Sequence, residues 1–262
     1  MILDPVNSIT SIEFYKKVAG QHPRRSVLYL CYLGLLFSLL FIVFLKVRIW
    51  PAFAETFQWM ETSVPAITYA NGRLSTPTNE KVTIRHPKQE QVAFTLDTGR
   101  TDPVNPQTMR DDKVSAYVTA NVMYIMEPGG KVNAYDFSKS PPGKTVVFDA
   151  KFYRELARIL GLVLYPLGFA ACFAMFVIWK LVATLFYSLF ALLINGLSES
   201  GLPYRTLFNL SAYAQTLVVA VQAILMLVPA RVPFFGFFTI VATAIYLWLA
   251  IRRLVPAPPQ AA

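Results

Sequence analysis

"SVLYLCYLGLLFSLLFIVFL", Ser26 to Leu45, holds twenty residues without a single charge. A stretch of that length matches the ~30 Å hydrocarbon core of a bilayer when helical. It exceeds the apolar core of a signal peptide, and no small-residue cleavage site follows it. The reading is therefore a retained membrane anchor, and the rest of the chain is read outward from it.

Before the anchor, residues 1–25 are polar to amphipathic. Ile9, Ile12, Tyr15 and Ala19 recur at helical spacing beside Lys16 and Lys17, which predicts a short cytoplasmic helix on the membrane surface or a plain cap on the first span. After it, residues 51–153 are hydrophilic and contain 11 Lys+Arg against 11 Asp+Glu. The net charge of +9 thus belongs to the flanks of the apolar segments. Lys and Arg there mark cytoplasmic ends and meet anionic lipid. Without a basic stripe interleaved with aromatics, no nucleic-acid binding is expected.

Within 51–153, Asn71-Gly72 sits between extended runs, the signature of a tight hairpin. "KVTIRHP", "QVAFTLDTG", "KVSAYVTANVMYIM" and "KVNAYDFS" alternate as strands do, with "EPGG" joining the last two. The expectation is a small, mostly β domain of five to seven strands, with helical periodicity returning only at "FDAKFYRELARIL".

Ile159 to Leu197 carries one charge, Lys180, and no turn signal. With a cytoplasmic N-terminus, the second span re-enters at Lys180, whose ammonium snorkels to an interface. Residues 181–197 then lie along the inner surface or continue one over-long helix. Leu207–Val228 and Val232–Ile251 follow as spans, which returns Arg252 and Arg253 to the inside. Four spans are expected, with five the alternative. Pro229 and Pro233 bracket a short outer loop holding Arg231, and 255–262 read as a disordered tail. The fold class is an α-helical membrane protein with an extracytoplasmic β domain (51–153) inserted after the first helix (26–50), followed by a helical membrane domain (154–254).

Asp97-Thr98-Gly99 is how aspartic proteases present a catalytic carboxylate. Such chemistry needs two carboxylates sharing a proton, and this chain supplies one such tripeptide, so only a homodimer would complete the pair. Arg100 follows where those enzymes carry Ser or Ala, and it would hold the aspartates ionised. The tripeptide reads as a turn, with Asp97 hydrogen-bonding its own backbone. His22 and His86 each precede a proline and lack partners at ligand spacing. Cys31 and Cys172 lie inside apolar runs. No catalytic, cofactor or metal site is expected.

The span "LFNLSAYAQTLVVAVQAILMLVP" places Ser211, Gln215 and Gln222 at spacings of four and seven, one face of a helix. Such a stripe bonds to neighbouring helices or lines a polar path.

"VPAITYANGRLSTP", "AFTLDTG" and "YRTLFNLSAYAQTLV" together resemble a bacterial integral-membrane family of unknown function, which includes MalA-type proteins of maltodextrin-utilisation clusters. The C-terminal half is also faintly similar to Yip-type membrane proteins. The resemblance implies a multi-pass protein of the cytoplasmic membrane with both termini inside, and it brings no catalytic residue. The functional expectation is a non-enzymatic accessory or scaffold protein that packs with lipid and docks a membrane or envelope partner, with a homo-oligomer open. The alternative is a transporter subunit for a small solute or lipid using the polar face of 207–228.

Overall fold

A computed structural model describes residues 2–88, 93–139, 143, 145–228 and 232–254. The expected loop residues Pro229 and Arg231 and the tail 255–262 lie outside the described residues. The chain divides into two compact units, Met1–Ile49 with Val163–Ala262, and Trp50–Leu162. Among the described residues, four helices are long and apolar enough to cross a membrane: Pro23–Ser63, Ala150–Leu197, Tyr204–Leu227 and Phe235–Leu254.

The first unit begins with α1 (Asp4–Thr10) and α2 (Phe14–Ala19). The amphipathic start is thus two short helices rather than one. They do not form a free surface helix, because Tyr15 and Val18 are fully buried and α2 packs on α7 (Tyr204–Ala214). Asn209 donates through its amide to the carbonyls of Gln21 (2.7 Å) and Val18 (3.4 Å), and Thr206 donates to that of Ala19 (3.2 Å). The orphan carbonyls at the end of α2 are satisfied in this way by side chains nearly two hundred residues away.

His22 caps α3 (Pro23–Phe44). Its Nδ1 accepts from Arg24 N–H at 3.2 Å, and Pro23 occupies the first turn, where its missing N–H costs nothing. A π-helical stretch, Leu45–Ile49, then leads into α4 (Trp50–Ser63). Pro51 has no N–H to donate into that stretch, which suits a local loosening of the ladder.

The second apolar segment is one helix, α6 (Ala150–Leu197), with Pro166 inside it. No break accompanies Lys180. The third, in contrast, divides at Gln215 into α7 and α8 (Thr216–Leu227), and α9 (Phe235–Leu254) completes the unit. Tyr29 stacks on Tyr213 with centroids 3.9 Å apart and planes 8° from parallel, and its hydroxyl bonds to Thr216 Oγ1 at 2.7 Å. An added Cβ at Gly34 would meet Phe176 and Val177 at 3.1 Å, so glycine is what lets α3 approach α6 there.

The second unit opens with α4. The first thirteen residues of the stretch expected to be β-rich are therefore helical, and Trp59 packs edge-on against His86 (4.9 Å) and Phe94 (6.4 Å). Among the described residues eight strands follow, more than the five to seven expected: β1 (Ile67–Ala70), β2 (Arg73–Ser75), β3 (Val82–Arg85), β4 (Ala93–Asp97), β5 (Ala116–Thr119), β6 (Val122–Met126), β7 (Val132–Asp136) and β8 (Val146–Phe148).

They form two sheets, ordered β2-β1-β8 and β3-β4-β5-β6-β7. Asn71 (φ 50°) and Gly72 (φ 75°) make the primed turn between β1 and β2 that their sequence predicts. Among the described residues, only the β4–β5 pair is parallel. Its crossover carries α5 (Pro106–Asp111), whose Met109 is fully buried with Ala93, Val104, Val114 and Tyr117.

Candidate functional site

Asp97 closes β4, and Thr98-Gly99 turns the chain. The Asp97 carboxylate does not cap its own backbone as expected. Its Oδ2 accepts from the Tyr117 hydroxyl at 2.8 Å, and Arg100 lies over the Tyr117 ring at 5.6 Å and donates to that hydroxyl at 3.4 Å. Burial pushes the Tyr117 phenol above its usual value, so it stays a donor. Thr98 Oγ1 donates to Asn79 Oδ1 (3.0 Å) and shares a hydrogen bond with Thr76 (2.8 Å), while a Cβ at Gly99 would meet the Asn79 carbonyl at 2.9 Å. Asp97 Oδ2 and Thr98 Oγ1 are thus both engaged in holding strand ends together. Tyr117→Phe should cost the protein about 1–2 kcal/mol, the usual penalty for stranding one buried hydrogen-bond partner. A lowered midpoint in chemical denaturation of the purified chain checks it.

His86 is also structural in its contacts. Its Nδ1 accepts from Lys88 N–H at 3.2 Å beside Trp59.

The helical unit holds a different kind of site. A cavity of about 360 Å³ opens among α6, α8 and α9, with Lys180, Gln215, Gln222, Thr239, Thr243 and Tyr187 in its wall. Lys180 is 5% exposed. Its ammonium donates to Gln222 Oε1 at 3.2 Å and lies 5.8 Å from the centre of the Phe176 ring. No carboxylate lines the cavity, and Lys180 has no ion pair among the described residues. Charges this deeply buried are normally paired.

Lys180 is placed by packing of α6 on α3. Phe37 stacks on Phe176 at 5.0 Å, and Gly34 faces Phe173, Phe176 and Val177. One turn beyond Phe176, Lys180 is level with the middle of α3, and α6 runs on to Leu197. It lies inside one continuous helix, which matches the over-long-helix alternative for residues 181–197. Its place follows from packing between helices, which local sequence does not encode.

Gln215 is 1% exposed and sits at the break between α7 and α8. Its Nε2 donates to Thr184 Oγ1 (2.8 Å) and the Ser211 carbonyl (3.2 Å). Its Oε1 has no hydrogen-bond partner among the described residues. The structure therefore brings Gln215 and Gln222 to one cavity with Lys180. Ser211 is fully buried but does not line it, and its Oγ has no partner among the described residues.

Thr184, Thr239 and Thr243 escaped the sequence reading. A signal was present: Lys180, Thr184 and Ser188 repeat every four residues on α6, and Thr239 and Thr243 do so on α9. Thr184 and Ser188 each donate to the carbonyl one turn back, as do Thr243 and, three residues back, Thr239. Their oxygens keep acceptor capacity. Chemically, the cavity offers one unneutralised cation in a wall rich in acceptors.

No curated protein and no solved structure matches the chain. Residues 6–251 match the family model described as "Protein of unknown function (DUF1189)". Nearly the whole chain is covered by that match, helical segments and β unit alike, and the protein accordingly belongs to the DUF1189 family, whose function is unknown.

Proposed function

We propose that the chain is an integral protein of a bacterial cytoplasmic membrane, an accessory and binding protein rather than a catalyst, whose helical unit takes an anionic ligand at Lys180. The observation that carries this reading is the buried Lys180 ammonium with no carboxylate in its cavity. An ionisable group inside a membrane segment is expensive and marks a functional site by default. Here a ligand is the natural source of the missing negative charge.

Four long apolar helices support membrane insertion. An even number puts both termini on one side, and Lys16, Lys17, Arg24, Arg25, Arg205, Arg252 and Arg253 favour the cytoplasm for them, leaving 51–153 outside.

The test is saturable binding of glycerol 3-phosphate, a small soluble phosphate monoester with about −1.5 to −2 charge at neutral pH, to the purified detergent-solubilised protein. Wild type should bind, and Lys180→Met should weaken binding at least tenfold, as loss of a charge-assisted contact does. Equal binding by both proteins would sink the anion site.

A second reading assigns a partner to the β unit. Tyr135 on the edge strand β7 and Val146 and Val147 on the edge strand β8 are exposed. Open strand edges with apolar side chains suit strand addition by a membrane or envelope protein. Extraction of the tagged protein at native level should recover one partner in stoichiometric amount, and Val147→Lys should release it. Recovery of the chain alone or only as a homo-oligomer would remove this part of the proposal.

A further inference from the structure

We propose that the anion held at Lys180 is the head group of an anionic glycerophospholipid carrying free hydroxyls, with its acyl chain in the groove beside α6. This rests on the anion-site reading above and names its ligand. Three observations carry it.

The first is that Lys180, Gln222 and Trp179 belong to two cavities at once. The second cavity, about 620 Å³, runs along Phe37, Phe41, Gly168, Ala171, Cys172 and Met175, all without charge. Both volumes fall in the ~300–1,000 Å³ range of small-molecule sites. A ligand that fills both has one polar, charged end and a long apolar body, joined at Lys180. A compact soluble anion would use only the first.

The second is the unpartnered acceptor. Gln215 Nε2 is already committed to Thr184 and to the Ser211 carbonyl, so the Oε1 left over on this cavity-lining residue is a buried acceptor with no partner among the described residues. A buried acceptor without a donor is costly. A phosphate diester or a carboxylate anion has no donor to give it, whereas a hydroxyl on the same head group does. The ammonium of Lys180 keeps two N–H groups beyond the one given to Gln222, enough for a phosphate oxygen.

The third is the charge balance. Lys180 supplies a single positive charge and the lining contains no carboxylate. A zwitterionic lipid would place its own cation beside Lys180 with nothing to receive it. An ethanolamine head could donate to Gln215, but only by bringing that second cation. A head with one negative charge and neutral hydroxyls fits both features.

The test is native mass spectrometry of the full-length protein offered an equimolar mixture of phosphatidylglycerol, phosphatidic acid, phosphatidylethanolamine and phosphatidylcholine with identical acyl chains. Wild type should retain phosphatidylglycerol at least tenfold over each of the others. Lys180→Met should bring it down to the level of phosphatidylcholine, and Gln215→Leu should erase its advantage over phosphatidic acid. Ala171→Phe fills the groove without touching the polar cavity. It should lower phosphatidylglycerol retention about tenfold and leave glycerol 3-phosphate binding as in wild type. Retention of all four lipids alike, or of phosphatidylglycerol undiminished in Ala171→Phe, would overturn the lipid assignment. If glycerol 3-phosphate binding still depended on Lys180 in that case, the anion site would stand without the lipid. Binding of glycerol 3-phosphate by Lys180→Met as tightly as by wild type would remove the site itself.

Discussion

Lys180→Met should give a protein that is more stable than wild type and empty of anion. On the membrane reading proposed above, a lysine at the centre of a helix costs roughly 2.5–3.5 kcal/mol on insertion scales, and Lys180 is 5% exposed with no charge partner among the described residues. Methionine keeps the length of the aliphatic stem, and its polarizable thioether packs against Phe176 and Trp179 without demanding a partner. One cost opposes this gain. Gln222 Oε1 loses its donor, worth about 1 kcal/mol. The net expectation is about 2 kcal/mol of stabilisation. At roughly 2–4 °C per kcal/mol for a chain of this size, the midpoint of thermal unfolding rises by several degrees. The measurement is a melting curve of both proteins in the same detergent, beside the binding assay. A variant that melts lower would show that Lys180 serves packing, and the anion reading would lose its main support. Stability gained as binding disappears is the pattern of a residue kept for function at the expense of the fold.

The opposite sign is expected at Asn209. This fully buried amide accepts from Ser26 Oγ at 2.8 Å and donates to the Gln21 and Val18 carbonyls, so one side chain ties α2 and the start of α3 to α7. Asn209→Leu keeps the branched skeleton, with two bulkier methyl groups, and has none of the bonds. It strands a fully buried hydroxyl and the Gln21 carbonyl, each costing about 1–3 kcal/mol. Ser26 can recover part of this by turning to a carbonyl of its own helix, so the expected loss is about 3 kcal/mol. The loss should also be local, because the contacts broken are those that dock residues 4–22. Limited trypsin digestion reads it directly. Lys16 and Lys17 should become cut sites in Asn209→Leu while the remaining helices keep their protection. Unchanged digestion would mean that Tyr15 and Val18 hold the segment by apolar packing alone.

These two residues also show where sequence stops informing. The uninterrupted apolar runs, the Asn71-Gly72 turn and the alternating strands were legible because each is written in neighbouring residues. The helical start of the second unit was hidden by its composition, since Trp59 and its neighbours occur in a stretch with as many polar residues as apolar ones. At six residues, α5 is too short to show a period. The site was half legible. Gln215 and Gln222 stood out because amides are rare in apolar helices. The depth of Lys180 did not, because it depends on Gly34 and Phe37 bringing α3 against Phe176, contacts about 140 residues apart in the chain. The folded-back N-terminus depends in the same way on Thr206 and Asn209.

The small sheet β2-β1-β8 has a consequence for how the chain is made. Ile67 pairs with Phe148, so β1 and β2 leave the ribosome as a hairpin with one edge open and wait for almost the entire unit to follow. Until Val146–Phe148 emerge, that edge is an unpaired template for any extended segment nearby. The next helix starts at Ala150, so closing the sheet and beginning the longest helix are consecutive events in synthesis. A chain halted just before Val146 would carry a complete five-stranded sheet beside an open hairpin. A chain released a few residues later would have the β1 edge covered, with β8 as the new edge.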